Sequence, residues 1–143
     1  MVAKLPRAMQ RVVVADDNPA MTAALKVVLQ IWGWDVVVAH DGMTAVEAIR
    51  ASRPALALID IGLPDLDGLE VARVCRSQGV APRLMIALSG YGEERDLLAS
   101  LQAGFDRHLV KPVDPELLRM TIMPVASQGR GPRVDTARPR LRP

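Results

Sequence analysis

Cysteine occurs once in the 143 residues, as Cys75. An internal disulfide is therefore excluded, and a reducing cytoplasm is the expected setting. Aromatic residues are scarce, with two Trp, one Tyr and one Phe. Long apolar runs are also missing. The longest (Val12–Ala15, Val36–Ala39, Ala55–Ile59) reach about five residues, far below the ~20 that cross a bilayer, so no membrane partner is expected. No charged-then-apolar leader with a cleavage site opens the chain. There is no G-x-G-x-x-G and no Walker lysine motif. Ser89-Gly90-Tyr91-Gly92 is only a two-glycine loop. No serine–histidine pair stands at a nucleophile elbow. Two histidines, His40 and His108, are too few and too scattered for a zinc site.

What is present is a globular composition: 50% apolar and 24% charged residues. That length and content suit one domain with a real core. The net charge of +2 conceals an asymmetry. Residues 127–143 hold five arginines against Asp135, so the rest of the chain is slightly acidic. With three prolines, two glycines and few apolar residues, residues 126–143 are expected to be a disordered basic tail. Residues 1–9 are expected to be a flexible leader. Residues 10–125 then make the folded domain.

Within it, β-branched runs alternate with amphipathic stretches. Arg11–Ala15 suits a buried strand. Asn18 is a cap and Pro19 a first-turn residue for a helix ended by Gly33. The expected apolar face is Met21, Ala24, Leu25, Val28, Leu29 and Trp32. A strand over 35–39, a helix over 42–52 capped by Asp41, and a strand over 55–60 follow. A helix over 68–78 carries Val71, Val74 and Cys75 on one side. A strand over 83–88, a helix over 93–103, a strand over 107–110 and a helix from Pro115, limited by Pro124, complete the pattern. Five βα units in a row predict an α/β fold, doubly wound and flavodoxin-like. Its five-stranded parallel sheet has helices on both faces. The order 2-1-3-4-5 is the expected one.

Sites in such sheets lie outside the carboxyl ends of the strands. Asp16 and Asp17 follow strand 1, Asp60 ends strand 3, Ser89 follows strand 4 and Lys111 follows strand 5. Asp60 closes the run Leu56-Ala57-Leu58-Ile59, where burial is expected. Carboxylates pressed together repel, and a divalent cation relieves them; hard oxygen ligands favour Mg²⁺. The first loop, Asp16-Asp17-Asn18-Pro19, has no glycine and two negative charges, so it cannot cradle a phosphate unaided. A carboxylate beside Mg²⁺, with a lysine and a hydroxyl nearby, suits phosphoryl transfer onto aspartate. A phosphoryl group there adds charge and acceptor oxygens where the loops meet.

The sequence resembles the receiver domain of two-component response regulators, over about Arg11 to Met123. The resemblance rests on Val13–Asn18, on Leu58–Gly68, on Ala87–Gly90 and on His108–Pro112. It implies that Asp60 accepts a phosphoryl group from the phosphohistidine of a histidine kinase or a histidine phosphotransfer protein. It implies that Asp16, Asp17, Asp60 and the Gly62 backbone carbonyl hold Mg²⁺, that Lys111 pairs with the phosphoryl group, and that Ser89 is the switch hydroxyl. The Lys111-Pro112 bond is expected to be cis, as X-Pro bonds allow. His108 stands where the family often has Tyr or Phe, so its coupling to Ser89 is expected to be altered or weak. Gly62 puts no side chain beside the phosphoryl site, which implies a short-lived phosphoaspartate.

The implied activity is a phosphoacceptor switch, not a turnover enzyme. Its downstream protein partner is expected on the face of helix 4, strand 5 and helix 5, near Tyr91, Phe105, His108 and Pro112. No helix-turn-helix module follows the domain, so no DNA-binding domain is expected in this chain. Two alternatives are a degenerate receiver used as a docking scaffold and an aspartate-nucleophile phosphatase. The latter commonly has a second carboxylate two residues after the nucleophile, where this chain has Gly62.

Overall fold

A computed structural model describes residues 9–90 and 94–126. The elements are β1 (Arg11–Ala15), α1 (Pro19–Ile31), β2 (Asp35–Ala39), α2 (Gly42–Ser52) and β3 (Leu56–Asp60). They continue with α3 (Gly68–Ser77), β4 (Leu84–Ser89), α4 (Glu94–Ala103), β5 (Arg107–Val110) and α5 (Pro115–Ala126). All strand pairs are parallel, in the order β2-β1-β3-β4-β5. This is the doubly wound fold that the alternation predicts. Apart from Met9 and Ala126, the expected leader and basic tail lie outside the described residues, as does Tyr91.

Side chains of the central strands alternate between two cores, as a pleated sheet requires. Val13, Ala15, Ala57, Ile59, Met85 and Ala87 face α2, α3 and α4. Val12, Val14, Leu56, Leu58, Ile86 and Leu88 face α1 and α5. Burial on both faces explains why these strands read as unbroken apolar runs. On α1 the buried positions are Thr22, Leu25 and Leu29, so Thr22 takes the place expected for Ala24. The Thr22 hydroxyl donates to the Pro19 carbonyl (3.1 Å), which satisfies it inside the first turn.

Proline does not end α5. The helix runs through Pro124 to Ala126. Pro124 has no N–H for the carbonyl of Met120, one turn earlier, but Met120 is exposed and water can solvate that carbonyl. Beyond it Val125 is buried, and the Gln10 side chain donates to the Val125 carbonyl (2.9 Å), so the last turn is held from both sides.

Asn18, Asp41 and Asp67 cap α1, α2 and α3 through their side chains, each in extended backbone. The loop between β3 and α3 is tied down closely. Gly68 N donates to the Ile61 carbonyl (3.1 Å). A Cβ on Gly68 would stand 2.4 Å from the Asp60 carbonyl oxygen, so only glycine lets α3 start there. A Cβ on Gly62 would meet nothing closer than 3.6 Å. Gly68→Ala is therefore expected to lower unfolding free energy by about 1–3 kcal/mol, as overpacking does. Gly62→Ala should stay within about 0.5 kcal/mol of the parent. Urea titration of both variants checks the contrast; equal stabilities would contradict the close approach at Gly68.

Candidate functional site

Register brings the acidic residues together. Ala15 pairs with Ile59 across β1 and β3, so Asp16 and Asp60 emerge side by side at the carboxyl edge. The strand order reverses between β1 and β3, which is where ligands bind in this architecture. On the other flank Ser89 pairs with Val110, and Lys111 follows directly. Lys111 N donates to the Ser89 carbonyl (2.7 Å), and Ile61 N donates to the Leu88 carbonyl (2.9 Å).

Asp16 is fully buried and Asp60 is 7% exposed, while Asp17 is exposed. One oxygen from each of the three carboxylates lies within 4.8 Å of the others. Asp16 Oδ1 accepts from Asn18 N (2.9 Å), and Asp60 Oδ1 accepts from Gly62 N (3.0 Å). The remaining oxygens turn toward Lys111, whose Nζ stands 2.8 Å from Asp16 Oδ2 and 3.1 Å from Asp60 Oδ2. Burial alone would lower the proton affinity of the Lys111 amine. The charges of Asp16 and Asp60, with the hydrogen bond to Asp60 Oδ2, outweigh it and hold the ammonium above the ordinary lysine range.

Asp16 Oδ2 is close to that ammonium, yet no donor among the described residues meets it in hydrogen-bonding geometry. A buried carboxylate oxygen with a lone pair to spare, beside two further carboxylates, fits a hard divalent cation. Sequence reasoning missed a support of this loop. His40 Nδ1 lies 3.0 Å from the Asp16 backbone carbonyl; a carbonyl only accepts, so Nδ1 carries the proton and pins the end of β1.

The other expected residues fall into two groups. Ser89 is buried at the end of β4, and its Oγ is 2.8 Å from His108 Nε2. The Lys111–Pro112 peptide is cis, and Pro112 is exposed. Phe105 does not lie on the partner face. It is 3% exposed and packs in the core cluster with Cys75 and Ala103. It opens the β5 approach directly after the α4 turn, where an apolar ring seals the sheet. Ser100, on α4, had no sequence signal; it is fully buried and 3.1 Å from His108 Nδ1.

This arrangement defines an aspartate-centred receiver site on a doubly wound sheet. The family model for the response regulator receiver domain matches residues 12–123, and the chain belongs to that family. The DNA-binding response regulator MtrA of Mycolicibacterium smegmatis is 37% identical over 109 residues, covering 76% of this chain and 47% of that protein. The transcriptional regulatory protein TrcR of Mycobacterium tuberculosis is 39% identical over 109 residues, covering 76% and 42%. The chain thus spans about half the length of the curated relatives it matches. Among solved structures, the receiver domain of the putative response regulator NarL of Mycobacterium tuberculosis superposes with a TM-score of 0.77. It is 30% identical and covers 85% of this chain and 98% of that one. No helix among the described residues is long and apolar enough to cross a membrane.

Lys111 contributes stability that is present below the ordinary lysine range and lost as pH rises through its raised value. Lys111→Met should lack that alkaline loss and should be less stable at neutral pH, because Asp16 and Asp60 then share burial without a cation. Mg²⁺ should raise the melting temperature of the variant more than that of the parent. Thermal melts from neutral to strongly alkaline pH, with and without Mg²⁺, measure both effects. Parallel curves for the two proteins would sink the assignment.

Proposed function

We propose that this receiver is a phosphoacceptor switch centred on Asp60. The observation that carries the reading is the buried Asp60 carboxylate, facing an ammonium at 3.1 Å and a second buried carboxylate, at the switch point of the sheet. A carboxylate oxygen of Asp60 attacks the phosphorus of a phosphohistidine in line. The new O–P bond forms as the P–N bond to the donor imidazole breaks, and the imidazole leaves. Lys111 pairs with the phosphoryl oxygens and neutralises charge as it builds. Asp16, Asp17, Asp60 and the Gly62 carbonyl are the groups that would hold Mg²⁺. When bound, that ion supplies charge neutralisation to both carboxylate and phosphoryl oxygens. Ser89 donates to a phosphoryl oxygen and closes its loop on the site.

The donor partner in this reading is a histidine kinase or a histidine phosphotransfer protein, met in a reducing cytoplasm. The output is a downstream protein, bound on the face of α4, β5 and α5. Leu97, Leu98 and Leu101 of α4, Val110 of β5, and Leu117 and Met120 of α5 are all exposed large apolar side chains. An apolar group of that kind marks interaction surfaces. The relatives named above are DNA-binding and transcriptional regulators, so a route to transcription is one form this output takes. A docking scaffold would not need an intact set of carboxylates, hydroxyl and lysine. A phosphatase would need an acid/base where Gly62 stands.

Intact mass after treatment with acetyl phosphate and Mg²⁺ tests the reading. Wild type should gain one phosphoryl group (~80 Da). Asp60→Asn and the chelated wild type should gain nothing. No gain in wild type, with phosphohistidine donors as well, would leave only the scaffold reading. Gly62 offers open space beside Asp60 Oδ1, so a side chain there fits without clash. Gly62→Asn should shield the phosphoryl group and slow dephosphorylation several-fold. An unchanged or faster rate would remove Gly62 as the cause of a short lifetime.

A further inference from the structure

The phosphoacceptor reading needs Ser89 to donate its proton to a phosphoryl oxygen. Heavy-atom distances and a count of donors bear on which atom accepts that proton beforehand. His108 stands between two serines: Nε2 is 2.8 Å from Ser89 Oγ, and Nδ1 is 3.1 Å from Ser100 Oγ. Ser100 Oγ also lies 2.8 Å from the Leu97 carbonyl. A carbonyl accepts and cannot donate, so the single hydroxyl proton of Ser100 is committed to Leu97. Ser100 must then accept from His108, which puts the imidazole proton on Nδ1. A neutral imidazole protonated at Nδ1 has a bare Nε2. The 2.8 Å contact at Nε2 needs a proton, and Ser89 supplies it.

The geometry points to His108 as the positioning residue of the switch: its Nε2 accepts the Ser89 proton in the unphosphorylated protein, and Ser89 gives up that bond when the Asp60 phosphoryl group forms. The proposal rests on the phosphoacceptor reading. Its balance is simple. The Ser89 proton stays on Ser89 and exchanges one acceptor, neutral Nε2, for another, an anionic phosphoryl oxygen. Charge-assisted hydrogen bonds are about twice as strong as neutral ones, so the exchange runs toward the phosphoryl group.

Loss of the Nε2 partner is felt at α4. Ser100 is fully buried on that helix and grips the other side of the same ring. One turn of α4 around it exposes Leu97, Leu98 and Leu101. A Tyr or Phe ring at this position has no nitrogen that could accept from Ser89. Coupling here is therefore a hydrogen-bond exchange. The missing aromatic residue led to an expected coupling that is altered or weak; the proposed exchange is the altered form, and it depends on Ser100, which fixes the tautomer that makes His108 an acceptor.

Nitrogen-15 NMR of the imidazoles in the full chain tests this, and with only His40 and His108 present the assignment needs one variant, His108→Gln. With the imidazole neutral, His108 should show a protonated Nδ1 and a bare, hydrogen-bonded Nε2. Beryllofluoride with Mg²⁺, which mimics a phosphoryl group on a carboxylate, should shift Nε2 and leave Nδ1 protonated. Ser100→Ala removes the group that selects the tautomer. It should move the proton toward Nε2, end the Ser89 donation to that nitrogen, and tighten beryllofluoride binding about three- to tenfold.

A resting His108 protonated at Nε2 would overturn the proposal whatever Asp60 does. If beryllofluoride moves the Gly62 and Gly90 amides but not Nε2, the phosphoacceptor reading stands and the positioning role is lost. If Ser100→Ala lowers the melting temperature without changing beryllofluoride affinity, Ser100 and His108 are packing only. If beryllofluoride moves no resonance, the phosphoacceptor reading fails and takes the exchange with it.

Discussion

Two carboxylates that leave adjacent strands side by side and buried repel each other, and the rest of the site is arranged around the cation that holds them together. Lys111 reaches Asp16 and Asp60 from the β5 edge of the sheet, with β4 between its own strand and that of Asp60, and β3 and β4 between it and that of Asp16. Its hold depends on the β4–β5 register and on the bond from its own N–H to the Ser89 carbonyl. The same bond fixes the end of β4, where the Ser89 hydroxyl sits. Charge compensation and placement of the Ser89 hydroxyl are thus one mechanical problem with one solution. A structure in which β5 slipped by a single residue would lose both.

The compensation is incomplete by construction. One ammonium faces two buried carboxylates and an exposed third, so the site keeps negative charge and an oxygen without a well-directed donor. That residual charge favours a divalent cation and disfavours a phosphoryl group arriving without one. A site fully satisfied by lysines would be more stable and would do nothing. Close packing around it serves the same end: Gly68 lets the α3 start press against the Asp60 backbone, which keeps the carboxylate at a fixed depth.

Much of this was legible in the sequence because parallel strands buried on both faces are apolar until they end. Asp60 is the first polar residue after Leu56-Ala57-Leu58-Ile59, and Asp16 the first after Val12–Ala15, so the ends announce themselves. The strand order agreed with expectation, and so did the caps at Asn18 and Asp41. What remained hidden shared one cause: its signal lies in side chains that meet only in three dimensions. Phe105 reads as a surface aromatic in a short loop, yet it seals a core. Pro124 reads as a stop, yet burial of Val125 carries the helix past it. Ser100 is an ordinary serine in an amphipathic helix, and nothing in its spacing reveals that its hydroxyl is spent on Leu97.

That last case shows why substitution at a family position cannot be read one residue at a time. With His108 alone in view, a polar ring replacing an aromatic one suggests a weakened link between site and surface. With Ser100 in place, the polar ring becomes directional. One nitrogen is committed to α4 and the other is left to receive from Ser89. An aromatic ring would report on Ser89 through the space that the hydroxyl vacates, which requires the ring to turn. An imidazole held by both nitrogens reports through the loss of one bond while the other still anchors it. The ring therefore need not swing between pockets for α4 to register the change. A buried helix position and a strand-end hydroxyl become coupled by two hydrogen bonds and the count of their protons.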